Sequence, residues 1–265
     1  MSLKVMTLNI LMGGEERMPR LLALIARENP DVLVLQECLG WEDGVRLGQV
    51  AAALNLPATE SHVRLGLARP RPSGRRYHVA VASRPPLHSA RPHADARVIG
   101  HCLFECALET EMGTLTLFAA HFDSHNEDLR LVEARYLRSL LNAGDFAERD
   151  ALLAGDLNAL SRADPYPVDL ADRVRRARVD KYGHPPRFDV IDELEDFGWV
   201  DTLRRKPASR RWVTARRERE GEVLDFRTDY VFASPALARR LVGSDVVEVG
   251  AASDHHALTA TFTEP

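Results

Sequence analysis

A carboxylate and an imidazole stand side by side at Asp254 and His255, just before the Thr-rich apolar segment Leu258 to Phe262. The length and pattern of that segment predict a strand, so the pair is expected where the strand enters a sheet. An imidazole paired with a carboxylate has its pKa raised above about 6.5 and can then supply acid, base or positive charge. The pair alone is equally compatible with a capped strand, so its meaning depends on its partners.

Further polar residues end other apolar segments that have the character of strands. They are Asn9, Glu37, His121 and Asp156. In α/β proteins, ligands gather at the carboxyl ends of strands, where loops can change without disturbing the core. Each residue alone could simply cap a strand or a helix. Their coincidence indicates a shared site.

Asp229 precedes its apolar segment, Tyr230 to Ala233, just as Asp254 and His255 precede theirs. For all of these side chains to meet at one edge, the last two strands must run opposite to the other four. The sequence therefore predicts mixed rather than purely parallel sheets.

The elements that must position these residues alternate along the chain. Apolar runs predict strands over residues 5–10, 31–37, 77–83, 102–108, 114–121, 151–156, 230–233 and 258–262. Helical spacing predicts helices over residues 18–25, 45–54, 129–141 and 190–197, and Ser234-Pro235 marks the start of another. The turn before Gly113 indicates a hairpin. Residues 161–189 are polar and Pro-rich, which predicts a long loop with at most one short helix.

Composition sets bounds on the class of protein. The 265 residues, of which 45% are hydrophobic, predict a single packed domain over residues 1–265. The net charge of −4 excludes a general attraction to nucleic acid or anionic membranes, so such a partner would need a local patch, for which Arg204 to Arg219 is a candidate. The three cysteines are expected to be reduced core thiols. With no signal-like N-terminus and no apolar run of about 18 residues, the expected location is cytoplasmic.

The donor chemistry of the predicted site favours a hard cation. Several carboxylates and amides without a thiolate suit Mg²⁺ or Mn²⁺, and Glu37 is the best single ligand candidate. Two histidines with Asp156 would suit Zn²⁺ instead, although no histidine pair has the spacing of a zinc motif. His256 is expected to point to the opposite face of the strand from His255.

Several short motifs occur in order over nearly the whole chain. They are Thr7-Leu8-Asn9, Gln36-Glu37, Ala80-Val81-Ala82-Ser83-Arg84, Ala120-His121-Phe122, Gly155-Asp156-Leu157-Asn158, Arg227-Thr228-Asp229-Tyr230 and Ser253-Asp254-His255. With this ordered set the chain resembles the endonuclease/exonuclease/phosphatase superfamily, the DNase I-like metal-dependent phosphoesterases. The resemblance implies an α/β fold, a four-layer sandwich of two mixed β-sheets flanked by helices.

The resemblance also implies a role for each site residue. Glu37 would be the principal ligand of Mg²⁺ or Mn²⁺, with Asn9 and Asp254 near the metal directly or through water. Asp156 would orient or deprotonate the attacking water, and Asn158 would hold a phosphate oxygen.

The remaining implied roles belong to the histidines. His255, kept in one tautomer by Asp229, would hydrogen-bond the phosphate and stabilise transition-state charge, or act as the base. His121 would face the leaving group. Asn158, His121 and His255 are thus the implied substrate-binding residues.

The implied function is hydrolysis of a phosphodiester or phosphomonoester by in-line attack of water, on nucleic acid or a small phosphorylated molecule. Two alternatives stay open. One is a non-catalytic binding module of the same fold, although none of the implied residues is lost. The other is a zinc-dependent hydrolase using His121, Asp156 and His255. The choice of substrate is expected to reside in the loops, at residues 61–76, 161–189 and 204–222. The oligomeric state has no signal in the sequence.

Overall fold

The computed structural model describes residues 2–95, 97–111 and 113–263, and these form two six-stranded sheets and a separate hairpin. The first sheet has the spatial order β13-β14-β1-β2-β4-β3. Its strands are β1 (Ser2–Asn9), β2 (Val32–Gln36), β3 (Val63–Gly66), β4 (Val79–Ser83), β13 (Leu241–Val247) and β14 (Ala257–Thr263).

The second sheet has the spatial order β5-β6-β7-β8-β12-β9. Its strands are β5 (Leu87–His93), β6 (Cys102–Thr110), β7 (Gly113–His121), β8 (Ala151–Asp156), β9 (Val200–Asp201) and β12 (Asp229–Ala233). A two-stranded hairpin stands apart from both sheets and consists of β10 (Ala215–Arg219) and β11 (Glu222–Phe226).

Strand directions confirm the predicted mixture. In the first sheet β1 is parallel to β2 and antiparallel to β14, and in the second β7 is parallel to β8 while β12 is antiparallel to β8. The two strands that begin with site residues therefore run opposite to the four that end with them.

The sheets face each other through an apolar core and are covered by helices on their outer faces. Val5, Val34, Leu117 and Ala154 belong to the cluster between the sheets. The helices are α1 (Met18–Glu28), α2 (Val45–Ala53), α3 (Glu127–Ser139), α4 (Leu170–Arg176), α5 (Asp189–Phe197), α6 (Thr202–Arg205) and α7 (Pro235–Ala238). Residues of α1 and α2 pack on the first sheet, and residues of α3 and α5 pack on the second. The predicted four-layer α/β sandwich is confirmed.

Burial on both faces explains why the central strands read as continuous apolar runs. All five residues of β2 and all five of β4 are buried. The three cysteines are free and buried, as predicted, and burial raises the pKa values of Cys102 and Cys106 to about 12. Among the described residues, no helix is long and apolar enough to span a bilayer.

Several helix and turn predictions are confirmed. Gly198 ends α5 with a φ of +115°, and Gly113 adopts a φ of +106° in the hairpin between β6 and β7, although Met112 of that turn lies outside the described residues. The loop of residues 161–189 contains α4 and a 3₁₀ turn at Asp180–Tyr182, which agrees with one short α-helix. Strands β3, β5, β9, β13 and the β10–β11 hairpin were not predicted from the sequence.

Gly155 of β8 packs directly against the backbone of Ala120 in β7. Its φ is +154°, and a Cβ atom there would lie 1.9 Å from the carbonyl oxygen of Ala120. No side chain fits that gap without a shift of the backbone that carries Asp156.

We expect Gly155→Ala to lower the free energy of unfolding by about 3 kcal/mol, through backbone strain and overpacking. Urea denaturation followed by circular dichroism would measure the change. Gly48→Ala is the matched control, because Gly48 lies within α2 with open space around its Cα, and alanine favours a helix by about 1 kcal/mol over glycine. Equal stability of the two variants would contradict the account of Gly155.

Candidate active site

Strand register brings three of the predicted residues together at one edge of the second sheet. His121 at the end of β7 is the parallel partner of Asp156 at the end of β8, and Asp229 at the start of β12 is the antiparallel partner of Asp156. The side chains therefore stand next to one another without any loop being needed to place them.

Asn9 connects this edge to the first sheet. Its Nδ2 donates to Asp156 Oδ2 at 3.0 Å and to Glu37 Oε1 at 3.3 Å, while its Oδ1 accepts from the backbone N–H of Leu11 at 3.0 Å. Glu37 has a φ of +60°, an uncommon backbone conformation, and its Oε2 accepts from the N–H of Met12 at 2.9 Å. The amide of Asn9 thus bridges one carboxylate from each sheet.

The carboxylate of Asp156 lies at the centre of the cluster and is buried. Its Oδ2 is 3.9 Å from His121 Nε2 and 4.0 Å from His255 Nε2, and its Oδ1 accepts from the N–H of Asn158 at 2.9 Å. Burial acts to raise the pKa of Asp156, but the charge of His255 and the hydrogen bond from Asn9 outweigh it and hold the pKa below its usual range. Asp156 is therefore a carboxylate at neutral pH.

His255 and Asp229 form a buried ion pair with 2.8 Å between His255 Nδ1 and Asp229 Oδ2. Burial alone would lower the pKa of His255, but the charge of Asp229 and this hydrogen bond raise it to about 9. The backbone N–H of Asp229 is held in turn by Thr214 Oγ1 at 3.1 Å. His255 is consequently a cation near neutral pH, with Nδ1 facing Asp229 and Nε2 facing Asp156.

Asn158 and His121 flank the carboxylate. Asn158 has a φ of +51°; its Nδ2 donates to the carbonyl of Phe122 at 3.2 Å and its Oδ1 accepts from Lys181 Nζ at 2.8 Å. The ring of His121 stacks on that of His101 with centroids 4.3 Å apart, and burial lowers the pKa of both imidazoles. These two rings are neutral at neutral pH, in contrast to His255.

Asp254 is exposed and lines the same cleft as Asn9 and Glu37. The hydroxyl of Ser253 donates to the carbonyl of Asn9 at 2.6 Å, which ties the start of β14 to the end of β1. The carboxylates of Glu37 and Asp254 are oxygen donors of the kind that Mg²⁺ and Mn²⁺ prefer, while Asn9 turns its NH₂ group to Glu37 and its amide oxygen to the N–H of Leu11. The residues present therefore fit a hard divalent cation.

A second group of possible metal ligands also occurs among the described residues. Asp156, Asp229 and His255 have ligand atoms within 4.8 Å of one another. A metal there would compete with the His255–Asp229 ion pair and with the proton that this pair retains, because a histidine must be neutral to bind a metal. This competition favours the group around Glu37.

One cleft of about 1090 Å³ is lined by seven of the eight predicted site residues: Asn9, Glu37, His121, Asp156, Asn158, Asp254 and His255. Asp229 is not part of the lining and contacts the site through His255. Several further side chains on its walls have no role assigned from the sequence, among them Arg71, Tyr77, His101, Ser124, His125, Arg178 and Lys181. Arg216, Arg217 and Arg219 also line it, and they were expected only as part of the candidate patch Arg204 to Arg219. Most of them come from the loops expected to set substrate choice, whereas His101 directly precedes β6 and Ser124 and His125 follow β7. No motif marked any of them individually. His256, by contrast, is not among the residues that line the cleft, as expected for the opposite face.

The Arg-rich segment reaches the cleft only in part. Arg216, Arg217 and Arg219 on β10 line it, whereas Arg204 pairs with Glu195 at 3.1 Å and Trp212 packs edge-on against Tyr166. The part of this segment that faces the site is thus strand β10 of the hairpin, and Trp212 does not line the cleft.

Comparison with known proteins identifies the family of the chain. The model of the Endonuclease/Exonuclease/phosphatase family matches residues 6–255. The chain belongs to this family. Family members are hydrolases that act on phosphate ester bonds. Among proteins with curated descriptions, none matches this sequence.

Solved structures share the family fold at low sequence identity. An endonuclease/exonuclease/phosphatase from Beutenbergia cavernae has a TM-score of 0.70 and 20% identity, over 99% of this chain and 72% of its own. An AP endonuclease from Archaeoglobus fulgidus has a TM-score of 0.66 and 19% identity, over 98% and 99%. The 3′ phosphatase NExo from Neisseria, bound to product DNA hairpin, has a TM-score of 0.67 and 20% identity, over 98% and 99%.

Asp229 is the cause of the high pKa of His255, so its removal should be visible in the titration of the imidazole. We expect Asp229→Asn to lower the pKa of His255 from about 9 by at least 1 unit, since an adjacent carboxylate typically accounts for shifts of this size. NMR titration of the imidazole nitrogens with EDTA present would measure it. An unchanged pKa would contradict the assigned ion pair.

Proposed function

We propose that the chain is a divalent-metal-dependent phosphoesterase in which water attacks a phosphodiester or phosphomonoester in line. The supporting observation is the convergence on one cleft of an ionised Asp156, a cationic His255 and an oxygen-donor set around Glu37. Phosphoryl transfer depends mainly on positioning and on neutralising charge at the non-bridging oxygens. The arrangement provides both.

In this mechanism Asp156 orients the attacking water and accepts its proton, because its carboxylate is ionised and lies at the centre of the cluster. His255 donates from Nε2 to a phosphate oxygen, while Asp229 holds its Nδ1 proton and its orientation. Asn158 donates from Nδ2 to another phosphate oxygen. His121, neutral and stacked on His101, faces the leaving group.

A metal ion would be held by Glu37 and Asp254, with Asn9 beside them. When bound, it would supply positive charge that offsets the charge developing on the phosphate. Asn9 contributes by donating hydrogen bonds to both Glu37 and Asp156, which holds these two carboxylates next to each other.

A zinc-dependent hydrolase is the second candidate, because the Nε2 atoms of His121 and His255 both approach Asp156 Oδ2. The ion pair of His255 with Asp229 disfavours it, since the histidine would have to lose its proton to bind zinc. The non-catalytic alternative finds no support, because the residues implied by the family motifs line the cleft or, in the case of Asp229, bond to a residue that does.

For the substrate, nucleic acid ranks ahead of a small phosphorylated molecule. Arginines line the cleft, Arg71 from the loop after β3 and Arg216, Arg217 and Arg219 from β10, and they provide the local positive charge that the net charge of −4 does not. Solved structures of the fold include proteins described as an AP endonuclease and as a 3′ phosphatase with product DNA.

We further propose that the chain is a single-domain protein that works in the cytoplasm.

Glu37→Ala tests the metal site. We expect it to lower kcat/KM at least about 100-fold, because the principal ligand is lost, and to weaken Mn²⁺ binding measured by calorimetry. The assay uses abasic DNA, single-stranded DNA, bis-p-nitrophenyl phosphate and small phosphomonoesters with Mg²⁺ or Mn²⁺. The control variant is Glu148→Ala, because Glu148 is an exposed carboxylate that does not line the cleft. Full activity without added metal or in Glu37→Ala would reject the proposal, and stoichiometric zinc would favour the second candidate.

His255→Ala tests the phosphate contact. Removal of one preorganised donor to a transition-state oxygen typically costs about 100- to 1,000-fold in kcat, and we expect a loss of that size on the best substrate of the panel. The exposed His88, on the edge strand β5, provides the control variant His88→Ala. Turnover by His255→Ala equal to that of His88→Ala would remove His255 from the mechanism.

A further inference from the structure

Lys181 is a cation inside the cleft that no sequence motif indicated. It lies in the 3₁₀ turn Asp180–Tyr182 of the long Pro-rich loop, and it lines the cleft together with Asn158. Its Nζ donates to Asn158 Oδ1 at 2.8 Å. The loop therefore delivers an ammonium group to the residue expected to hold a phosphate oxygen.

The turn that carries Lys181 is fixed from behind by a buried arginine. Arg130 of α3 is fully buried, donates to the carbonyl oxygen of Lys181 and to that of Asp123 at 2.9 Å, and pairs with Glu127 at 2.6 Å. The ring of Tyr182 is also fully buried, and Lys181 Nζ lies 4.8 Å from its centroid. The ammonium is thus preorganised rather than carried on a free side chain.

The charges around Lys181 lack an anion at ion-pairing distance. Among the described residues, no ion pair joins Lys181 or Arg217 of β10 to a carboxylate, and Lys181 Nζ bonds instead to the amide oxygen of Asn158. Burial, followed by the positive charge of Arg217, lowers the pKa of Lys181 to about 7. An anion that binds between these two cations would offset the repulsion between their charges.

Lys181 also determines which end of the Asn158 amide meets the cleft. An ammonium group can only donate hydrogen bonds, so the amide oxygen must face Lys181 and the NH₂ group must face away from it. One of those N–H groups bonds to the carbonyl of Phe122 at 3.2 Å. The other is left for a substrate oxygen.

We propose that Lys181, with Arg217 beside it, binds a non-bridging oxygen of the substrate phosphate on the Asn158 side of the cleft. The phosphate is then contacted by His255 on one side and by Lys181 on the other, and both positive charges come from the protein. This assignment rests on the proposed phosphoesterase function, because it takes the phosphate ester as the ligand.

The kinetic test uses Lys181→Met, which keeps an unbranched side chain and removes the charge. With bis-p-nitrophenyl phosphate and Mn²⁺, we expect kcat/KM to fall about 100-fold at pH 6. Lys206→Met removes an exposed lysine outside the cleft and should change kcat/KM less than about twofold. A loss of less than about threefold in Lys181→Met would overturn the proposal.

The pH profile separates a phosphate contact from a merely structural role. The ratio of wild-type to Lys181→Met kcat/KM should shrink as pH rises from 6 to 8.5, because the ammonium loses its proton as pH passes its pKa of about 7. The charged or titratable groups that act on it are Asp156, Asp229, Arg130, Arg217 and Tyr182. A ratio independent of pH would overturn the proposal.

Phosphate binding provides a readout that needs no turnover. We expect inorganic phosphate to raise the thermal midpoint of the metal-free wild-type protein, and its affinity to be at least about tenfold weaker in Lys181→Met and in Lys181→Gln. Circular dichroism checks that both variants fold. Equal phosphate affinity in all three proteins would overturn the proposal. A wild-type protein that hydrolyses no ester yet binds phosphate through Lys181 would reject the proposed function and leave this site standing.

Discussion

The burial of the Asp156 carboxylate determines which partners the neighbouring elements must provide. A buried ion costs several kcal/mol unless it is paired and hydrogen-bonded, so each neighbouring element must supply a partner. Asn9 reaches it from the first sheet, Asn158 from the loop that follows, and His255 from the start of β14. The polar network is therefore what aligns the edges of the two sheets, while the apolar core between them supplies the cohesion.

The same requirement explains why the histidines differ in charge. His255 is beside Asp229 as well as Asp156, so two carboxylates offset the desolvation of its ring and keep it protonated. His121 approaches Asp156 at 3.9 Å but stacks on a second imidazole, and burial leaves both of those rings neutral. Of the two imidazoles that approach Asp156, His255 is thus a cation and His121 is neutral, so His121 does not compete as a second positive charge for this carboxylate.

The sequence predicted the interior strands and missed the edges, for a physical reason. Strands β1, β2, β4, β6, β7, β8, β12 and β14 are covered by neighbours, and their apolar pattern follows from that burial. The edge strands β3, β5, β9 and β13 are short, or carry Pro, Gly or charged residues that protect an exposed edge. The site follows the same division. Residues at the ends of interior strands were predictable. Lys181 and Arg217 belong instead to a loop and a hairpin whose placement depends on contacts distant in sequence, from Arg130 to the carbonyl of Lys181 and from the N–H of His256 to the carbonyl of Thr214, just before β10.

The anchoring of the long loop has a consequence for engineering and for divergence within the family. The loop contributes Asp164 to a buried ion cluster with Arg227 and Asp201, and it accepts a hydrogen bond from Arg130 at Lys181. A chimera that exchanges residues 161–189 alone would remove Asp164, one of the two carboxylates that pair with the buried guanidinium of Arg227, and leave Asp201 as the other. Arg227 lies two residues before Asp229, where β12 begins. A graft of this loop that is intended to change specificity should therefore also include its basic partners, Arg130 and Arg227. For the same reason, natural variation at Asp164 and Arg227 should be correlated.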